Sequence, residues 1–216
     1  MPVIGITGGI STGKTTFCDC LCEIVPRARF FDADQVARQL ANSDPIVRDE
    51  IREEFGPDIY SSSGDLNRGQ LRAIVLESTP KKSALEQILH PRIRRQWSAE
   101  AQTHRNSSDF FFADIPLLYE TGGETLCDYV VVVACSPDLQ LERLLARRSQ
   151  ERGVPASMES QKFRPPISRG EAVRLIEAQM PLPEKMMRAD HVVWNNDARP
   201  VLIQQATDLI NLWRAK

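Results

Sequence analysis

A glycine-rich motif near the start of this 216-residue sequence is its clearest chemical feature. Residues 8–15 read G-G-I-S-T-G-K-T and fit the pattern G-x-x-x-x-G-K-[ST] without a gap. A short apolar run, residues 3–6, precedes the motif, and a helical pattern follows it at once. Glycines let successive backbone N–H groups turn inward, and the helix N-terminus adds positive potential. The motif therefore predicts a phosphate-binding loop (P-loop) that holds a nucleotide.

Each polar position of the motif has a predicted role. Lys14 is predicted to reach the β- and γ-phosphates of the nucleotide, and the Thr15 hydroxyl is predicted to bind Mg²⁺. The other predicted nucleotide contacts of the loop are Gly9, Ser11, Thr12, Gly13 and Thr16.

The motif names a ligand but leaves three reaction classes open: a small-molecule kinase, a GTPase-type switch and a motor-like ATPase. The sequence lacks the N-K-x-D motif that guanine-nucleotide switches usually carry. Its third predicted strand ends in Asp114-Ile115-Pro116, whereas a motor-like ATPase is expected to have Asp-Glu there. The kinase interpretation is therefore favoured.

Two carboxylates, Asp32 and Asp34, follow the second predicted strand. In an open parallel sheet, ligands bind outside the carboxyl ends of the strands. A kinase that acts on a hydroxyl benefits from a carboxylate there, which orients the acceptor and takes its proton. The alternative for Asp34 is a helix cap for residues 35–40.

Short apolar runs alternate with helical patterns along the chain, as expected for strands that are covered on both faces. The predicted strands are residues 3–6, 29–31, 110–113, 129–134 and 191–194. The predicted fold is α/β, with a P-loop NTPase-type parallel five-stranded sheet flanked by helices. Predicted helices lie at residues 14–24, 45–55, 66–76 and 81–89, and another begins at Pro91.

Two long segments between predicted strands divide this single domain, residues 1–216, into a nucleotide core and two further parts. A helical acceptor subdomain is predicted at about residues 34–108 and a lid at about residues 143–188. Residues 143–174 contain eight basic and three acidic side chains, which favours either an anionic ligand or a solvated helix face. The nucleotide core is predicted at about residues 1–33, 109–142 and 189–216.

Composition excludes several other classes of protein. The formal net charge of −2 argues against a dedicated nucleic-acid binder. The sequence contains no apolar run long enough to cross a bilayer and no basic N-terminal leader, so we expect no membrane partner and a cytosolic protein. The five cysteines form no C-x-x-C pair and are predicted to be packing residues in a reducing compartment. The oligomeric state stays open.

The sequence resembles the dephospho-coenzyme A kinase family nearly from end to end. The resemblance rests on the opening I-G-I-T-G-G-I, on D-A-D-x-x-A-R at residues 32–38 and on P-L-L-Y-E at residues 116–120. It continues with Q-x-x-R-x-x-x-R at residues 140–147. Further matching positions are residues 55–56, 64–68, 85–86, 90–91, 189–190 and 195–196, together with Gln179 and Lys185.

The resemblance implies transfer of the γ-phosphate of ATP to the ribose 3′-hydroxyl of dephospho-CoA, which forms coenzyme A in the last step of its synthesis. It implies that Asp34 is the base and that Lys14 acts with Mg²⁺. It also implies that Arg143 contacts the transferring phosphoryl group and that Arg147 contacts ATP, although Arg147 is alternatively a solvated face residue. The implied contacts to dephospho-CoA are Thr7, Asp32, His90, Leu117, Leu118 and Glu120.

Some of these positions also have ordinary structural interpretations. His90 is alternatively a capping or core residue, and the two leucines are alternatively core residues. Ser11 and Thr12 replace the Gly-Ser pair that is usual in the family, and serine has less backbone freedom than glycine. Residues 149–166 form an apparent insertion in the predicted lid. The alternative functions are another nucleotide or nucleoside kinase and a nucleotide-dependent regulatory protein without catalysis.

Overall fold

Five parallel strands form the central sheet of the protein. The structure is a computed structural model that describes residues 2–105, 109–150 and 167–215, with the backbone alone for residues 147–150. The strands are β1 (Val3–Gly8), β2 (Arg29–Asp32), β3 (Phe111–Asp114), β4 (Tyr129–Ala134) and β5 (His191–Trp194). Their order in the sheet is β2-β3-β1-β4-β5. All five predicted strands and the α/β fold class are confirmed.

Helices connect the strands along the chain. Their bounds are α1 (Lys14–Ile24), α2 (Ala33–Ser43), α3 (Pro45–Phe55), α4 (Arg68–Glu77), α5 (Thr79–His104), α6 (Pro137–Gln150), α7 (Arg169–Glu177), α8 (Leu182–Arg188) and α9 (Arg199–Arg214). Two short 3₁₀ helices lie at Pro57–Ile59 and Gly123–Leu126. Within the described residues, none of the helices combines the length and the apolar character that a membrane crossing requires.

The sheet core explains why the strands are continuous apolar runs. Every residue of β1 is buried, and so is every residue of β4 after Tyr129. Side chains from α1 and α9 pack against these strands in one cluster, which includes Phe17, Leu21, Leu202 and Ile210. β1 and β3 pair in parallel, with Ile6 opposite Asp114. The carboxyl ends of these two buried strands therefore lie at the same edge of the sheet.

One helix differs from the sequence prediction. Two helices were expected, with the second beginning at Pro91, because proline removes a backbone donor and disfavours a helix interior. The structure has one helix, α5, that runs through Pro91. Arg92 donates to the carbonyl of Ile88 at 2.7 Å and to the Glu50 carboxylate at 2.7 Å. The contact with Glu50 joins α5 to α3, and a local sequence pattern does not show such packing next to the proline.

The chain divides into two compact units. The first comprises residues 1–31 and 101–216, and the second comprises residues 32–100. The second unit has its own core, built around Val47, Ile51 and Ile59. The predicted lid bounds are not tested by this division and stay a prediction.

Candidate active site

The P-loop, residues 8–15, connects β1 to α1 with two residues in the left-handed region. Gly13 is the N-cap of α1 with φ 95°, and Ser11 has φ 60°. A Cβ at Gly13 would collide with the side-chain amide of Asn195, and a Cβ at Gly8 would collide with the Val133 carbonyl oxygen. Glycine at these two positions is therefore a steric requirement of the loop.

Side chains from distant parts of the chain hold alternate carbonyls of the loop. Lys185 Nζ donates to the carbonyl of Gly8 at 3.5 Å, and Gln140 Nε2 donates to the carbonyl of Ile10 at 2.8 Å. Asn195 Nδ2 donates to the carbonyl of Thr12 at 2.9 Å. All three donor side chains are at least 93% buried, because Lys185, Gln140 and Asn195 are 0%, 4% and 7% exposed.

These contacts set the direction of the loop N–H groups. In a trans peptide the N–H of one residue points away from the carbonyl of the residue before it, and the loop peptides are trans. The N–H groups of Gly9, Ser11 and Gly13 therefore point away from the side chains that bind the three carbonyls. Convergent N–H groups at a helix N-terminus form an anion-binding site. The arrangement suits a polyphosphate.

Lys14 adds a cation at the same site. Its Nζ lies 3.5 Å from Asp114 Oδ1, and the two side chains are 14% and 18% exposed. Asp114 Oδ2 accepts from the Cys18 thiol at 3.8 Å. Burial, and next the Asp114 charge, raise the pKa of Cys18 well above its usual value, so this thiol remains protonated. Asp114 therefore lies between a thiol donor and the lysine that the motif assigns to phosphate.

Arg143 lies beside the P-loop. Its Nη1 donates to the carbonyl of Thr12 at 3.5 Å, on the same oxygen that Asn195 binds. Gln179 Oε1 accepts from the N–H of Ile10 at 3.0 Å. Ile10 is therefore bound twice, through its carbonyl by Gln140 of α6 and through its N–H by Gln179, which follows α7. The side chain of Arg147 lies outside the described residues, and so does most of the predicted insertion at residues 149–166.

Thr15, the residue predicted to bind Mg²⁺, lies in surroundings that suit that ion. Thr15 and Thr16 lie in the first turn of α1, both are exposed, and the first turn contains no acidic residue. In kinase sites Mg²⁺ is usually held by one or two protein oxygens together with phosphate oxygens and water. The Thr15 hydroxyl and the partly exposed Asp114 carboxylate are oxygen donors of this kind. Within the described residues, no three His, Cys, Asp or Glu side chains gather into a metal cluster.

Four of the residues predicted to contact dephospho-CoA belong to the first unit. Thr7 lies in β1, and the other three, Leu117, Leu118 and Glu120, follow β3. Thr7 is fully buried, and its hydroxyl donates to the carbonyl of Pro116 at 3.0 Å. Leu117 is half-buried, and Leu118 is fully buried. Glu120 Oε1 accepts from the N–H of Met180 at 3.0 Å and pairs with Lys185 at 2.9 Å. The segment after β3 is therefore bound to the start of the P-loop through several polar contacts.

The other predicted acceptor residues belong to the second unit. Asp32 is the N-cap of α2, and its carboxylate accepts from the N–H of Gln35 at 2.9 Å. Asp34 lies in the first turn of α2 and is exposed. The capping alternative for Asp34 is therefore wrong, since Asp32 has that role. His90 is half-buried in α5, where burial lowers its pKa against the opposing charge of Glu86.

A known protein family matches most of this chain. The profile of the dephospho-CoA kinase family matches residues 2–200. The chain belongs to the dephospho-CoA kinase family. The dephospho-CoA kinase of Geobacillus kaustophilus is 34% identical over 214 residues, which covers 98% of this chain and 96% of that protein. Members of the family phosphorylate dephospho-CoA with ATP in coenzyme A biosynthesis, and this chain is such a kinase.

Solved structures show the same fold. The crystal structure of TT1252 from Thermus thermophilus aligns with a TM-score of 0.75 and 27% identity, and covers 98% of this chain and 96% of that one. Dephospho-CoA kinase from Campylobacter jejuni aligns with a TM-score of 0.67 and 22% identity, over 97% of this chain and 95% of that one. The family resemblance predicted from the sequence is confirmed.

Four residues that hold the P-loop of this dephospho-CoA kinase were matched to the family pattern without a role. They are Gln140, Gln179, Lys185 and Asn195. Lys and Gln are rarely buried unless they are paired, so a buried Lys or Gln points to a structural or functional role. The sequence does not show that these residues are buried. Their contacts cross 130 to 183 positions of sequence, so local patterns do not reveal them.

The left-handed conformation of Ser11 gives a stability prediction for this dephospho-CoA kinase. The Ser11 hydroxyl oxygen is buried and lacks a hydrogen-bond partner within the described residues, so its removal breaks no contact. Ser11→Gly is expected to raise the free energy of unfolding by about 0.5–1 kcal/mol, because glycine adopts a positive φ without strain. Equilibrium urea unfolding without nucleotide measures the change. Ser11→Ala keeps the Cβ and is the control, and a less stable glycine variant would contradict the interpretation.

Proposed function

We propose that the P-loop binds ATP with Mg²⁺ and that Asp34 activates the ribose 3′-hydroxyl of dephospho-CoA for attack on the γ-phosphate. The observation that carries this proposal is the P-loop itself, where three buried side chains hold alternate carbonyls and leave the intervening N–H groups for phosphate. The O–P bond to the 3′-oxygen forms, the bond between the β,γ-bridging oxygen and the γ-phosphorus breaks, and ADP leaves with the electron pair.

Lys14 and the loop N–H groups have the electrostatic role in this proposal. Phosphoryl transfer spreads negative charge over the oxygens of the moving group, and fixed donors stabilise that charge without reorganising. Lys14 belongs to the P-loop, and its Nζ lies 3.5 Å from Asp114 Oδ1 at low exposure. Bound Mg²⁺ would supply further charge neutralisation, and Thr15 with Asp114 would provide protein oxygens for it.

Arg143 is proposed to bind the transferring phosphoryl group. Its guanidinium is half-buried beside the Thr12 carbonyl, where a contact of 3.5 Å leaves other N–H groups of the guanidinium for phosphate oxygens. A guanidinium matches two phosphate oxygens at once, which fixes orientation as well as charge. Arg147 remains a proposed second contact to ATP.

Asp34 is proposed as the base because its carboxylate is exposed and is not the α2 cap. It lies in the first turn of α2, and a carboxylate can accept the proton of an attacking hydroxyl. The proposed contacts to dephospho-CoA are Thr7, Asp32, His90, Leu117, Leu118 and Glu120. The lowered pKa of His90 favours the neutral imidazole, which both donates and accepts a hydrogen bond.

The wider arrangement is proposed on the same basis. The nucleotide core is assigned to about residues 1–33, 109–142 and 189–216, the acceptor subdomain to residues 34–108 and the lid to residues 143–188. Dephospho-CoA is the small-molecule partner, and the formal charge of −2 does not favour nucleic acid. A cytoplasmic location is proposed because the five cysteines are free thiols, which persist in reducing compartments.

An acceptor panel tests the proposed function. ADP formation is measured with Mg·ATP alone and with dephospho-CoA, AMP or adenosine, and the products are identified by mass. Among the three acceptors, we expect only dephospho-CoA to give rapid ADP formation from Mg·ATP. Its product should be heavier than dephospho-CoA by one phosphoryl group. Faster turnover with AMP or adenosine would favour the alternative nucleotide or nucleoside kinase, and ATP binding without turnover would favour a regulatory protein.

A further inference from the structure

Lys185 is a fully buried lysine whose contacts extend beyond the P-loop carbonyl that it binds. It lies in α8, and its side chain is 0% exposed. Its ammonium contacts three oxygens: Glu120 Oε1 at 2.9 Å, the Pro116 carbonyl at 2.9 Å and the Gly8 carbonyl at 3.5 Å. An ammonium has three donors, so these acceptors satisfy it.

Stability alone does not explain this cation. Removing a charge from water is expensive, and buried ion pairs are often replaced by apolar residues of similar volume without loss of stability. Burial lowers the pKa of Lys185, while the hydrogen bond and charge of Glu120 oppose that shift. An apolar side chain of similar size would fill the space that Lys185 occupies. The charge of Lys185 therefore needs an explanation other than packing.

The contacts of Lys185 join three parts of the site. Gly8 is the first residue of the P-loop, and Pro116 begins the segment that carries the proposed acceptor contacts. The Pro116 carbonyl also accepts from the Thr7 hydroxyl at 3.0 Å, so it receives two donors. Glu120 also accepts from the N–H of Met180, two residues before α8 begins. One ammonium thus connects the P-loop, residues 116–120 and α8.

A second effect is electrostatic. The Gly8 carbonyl points toward Lys185, so the N–H of Gly9 in the same peptide points the opposite way, toward the phosphate side of the loop. A cation on the carbonyl polarises that peptide and strengthens its N–H as a donor. The charge of Lys14 also acts on Lys185 and lowers its pKa, in the same direction as burial.

We propose that Lys185 is a positioning residue for phosphoryl transfer, which fixes the P-loop against the acceptor segment at residues 116–120. This inference rests on the proposed function, since that function places the acceptor on this segment. Transfer requires the attacking oxygen in line with the γ-phosphate, and small misplacements lower the rate steeply. Loss of Lys185 should therefore act on kcat more than on the KM for ATP.

Two substitutions test the proposal. Lys185→Met keeps the length of the side chain and removes the charge and its donors, and Lys185→Gln keeps an amide donor without the charge. Both are assayed below their unfolding temperatures, with kcat expressed per ATP-binding site titrated in the same sample. We expect kcat to fall by about 10- to 100-fold in Lys185→Met, with the KM for ATP within about threefold of wild type. If Lys185→Met does not fold, Lys185→Gln decides, with a loss of at least about tenfold expected.

Lys81→Met is the matched control. Lys81 Nζ also donates to a carboxylate and to a backbone carbonyl, both of Glu54, but in the second unit and at 40% exposure. Its kcat should equal that of wild type. An unchanged kcat per site in the Lys185 variants would overturn the proposal, and so would a raised KM for ATP with an unchanged kcat. Absence of turnover in wild-type protein would instead count against the proposed function.

Discussion

Asp34→Asn is expected to lower kcat for dephospho-CoA phosphorylation by about 10²- to 10⁴-fold, the usual contribution of a general base. The affinity for Mg·ATP should stay within about twofold, because the P-loop that binds the nucleotide belongs to the other compact unit. The amide keeps the size of the carboxylate but does not accept the hydroxyl proton. Steady-state kinetics, with ATP binding measured separately by calorimetry, distinguish the loss of the chemical step from a loss of binding.

The fold should survive this substitution. Asp34 is exposed and is not the α2 cap, so its main structural contribution is its charge in the first helical turn, worth about 0.3–1 kcal/mol. Asp44→Asn is the matched control, because Asp44 caps α3 in the same unit with hydrogen bonds of 3.0 Å to Ile46 and Val47. Asparagine caps helices as well as aspartate does, so this control should be fully active.

The assignment of the base has a direct competitor two residues away. Asp32 also carries a carboxylate at the end of β2, although it caps α2. Asp32→Asn should raise the KM for dephospho-CoA more than it lowers kcat. A large loss of kcat in Asp32→Asn, together with near-normal kcat in Asp34→Asn, would move the base to Asp32 and contradict the present assignment.

Lys14→Met is expected to lower kcat by about 10²- to 10³-fold, the cost of removing one preorganised donor from the developing charge. The methionine keeps the length of the side chain and removes only the cation. The KM for ATP should rise as well, because Lys14 is predicted to bind the phosphates in the ground state. The same assay measures both parameters over a range of Mg·ATP concentrations.

Lys82→Met is the control for the loss of a lysine charge. Lys82 pairs with Glu86 at 3.9 Å on the surface of α5, and exposed pairs of this kind contribute little to stability. It should leave kcat and KM unchanged. A Lys14 variant within about tenfold of wild-type kcat would mean that the P-loop N–H groups and the bound metal provide the stabilisation without this lysine.

The sequence predicted those parts of the molecule whose signals are local. Strands such as Val3–Gly8 are apolar runs bounded by glycine, and the P-loop pattern specifies its own strand and helix. The helix at Thr79–His104 was predicted as two, because the rule for proline is local, while the contact of Arg92 with Glu50 joins this helix to α3.

Sequence signals led to the proposed ligand contacts but not to the residues that support the P-loop. Lys14 and Thr15 follow from motif chemistry, and Asp34 follows from its place after a strand. Gln140 and Asn195 touch the P-loop across 130 and 183 residues, and nothing in the pattern near either residue indicates a partner. Such contacts depend on how β4 and β5 align beside β1, which only the folded chain specifies.

The most direct test of the account follows the terminal phosphate of ATP. The wild-type protein is given Mg·ATP labelled in the γ-phosphate together with dephospho-CoA, and the labelled product is located by mass and by phosphorus–proton NMR coupling. The account predicts label on the ribose 3′-oxygen of coenzyme A, formed in equal amount to ADP. Label in inorganic phosphate, or on any other oxygen of the acceptor, would contradict it.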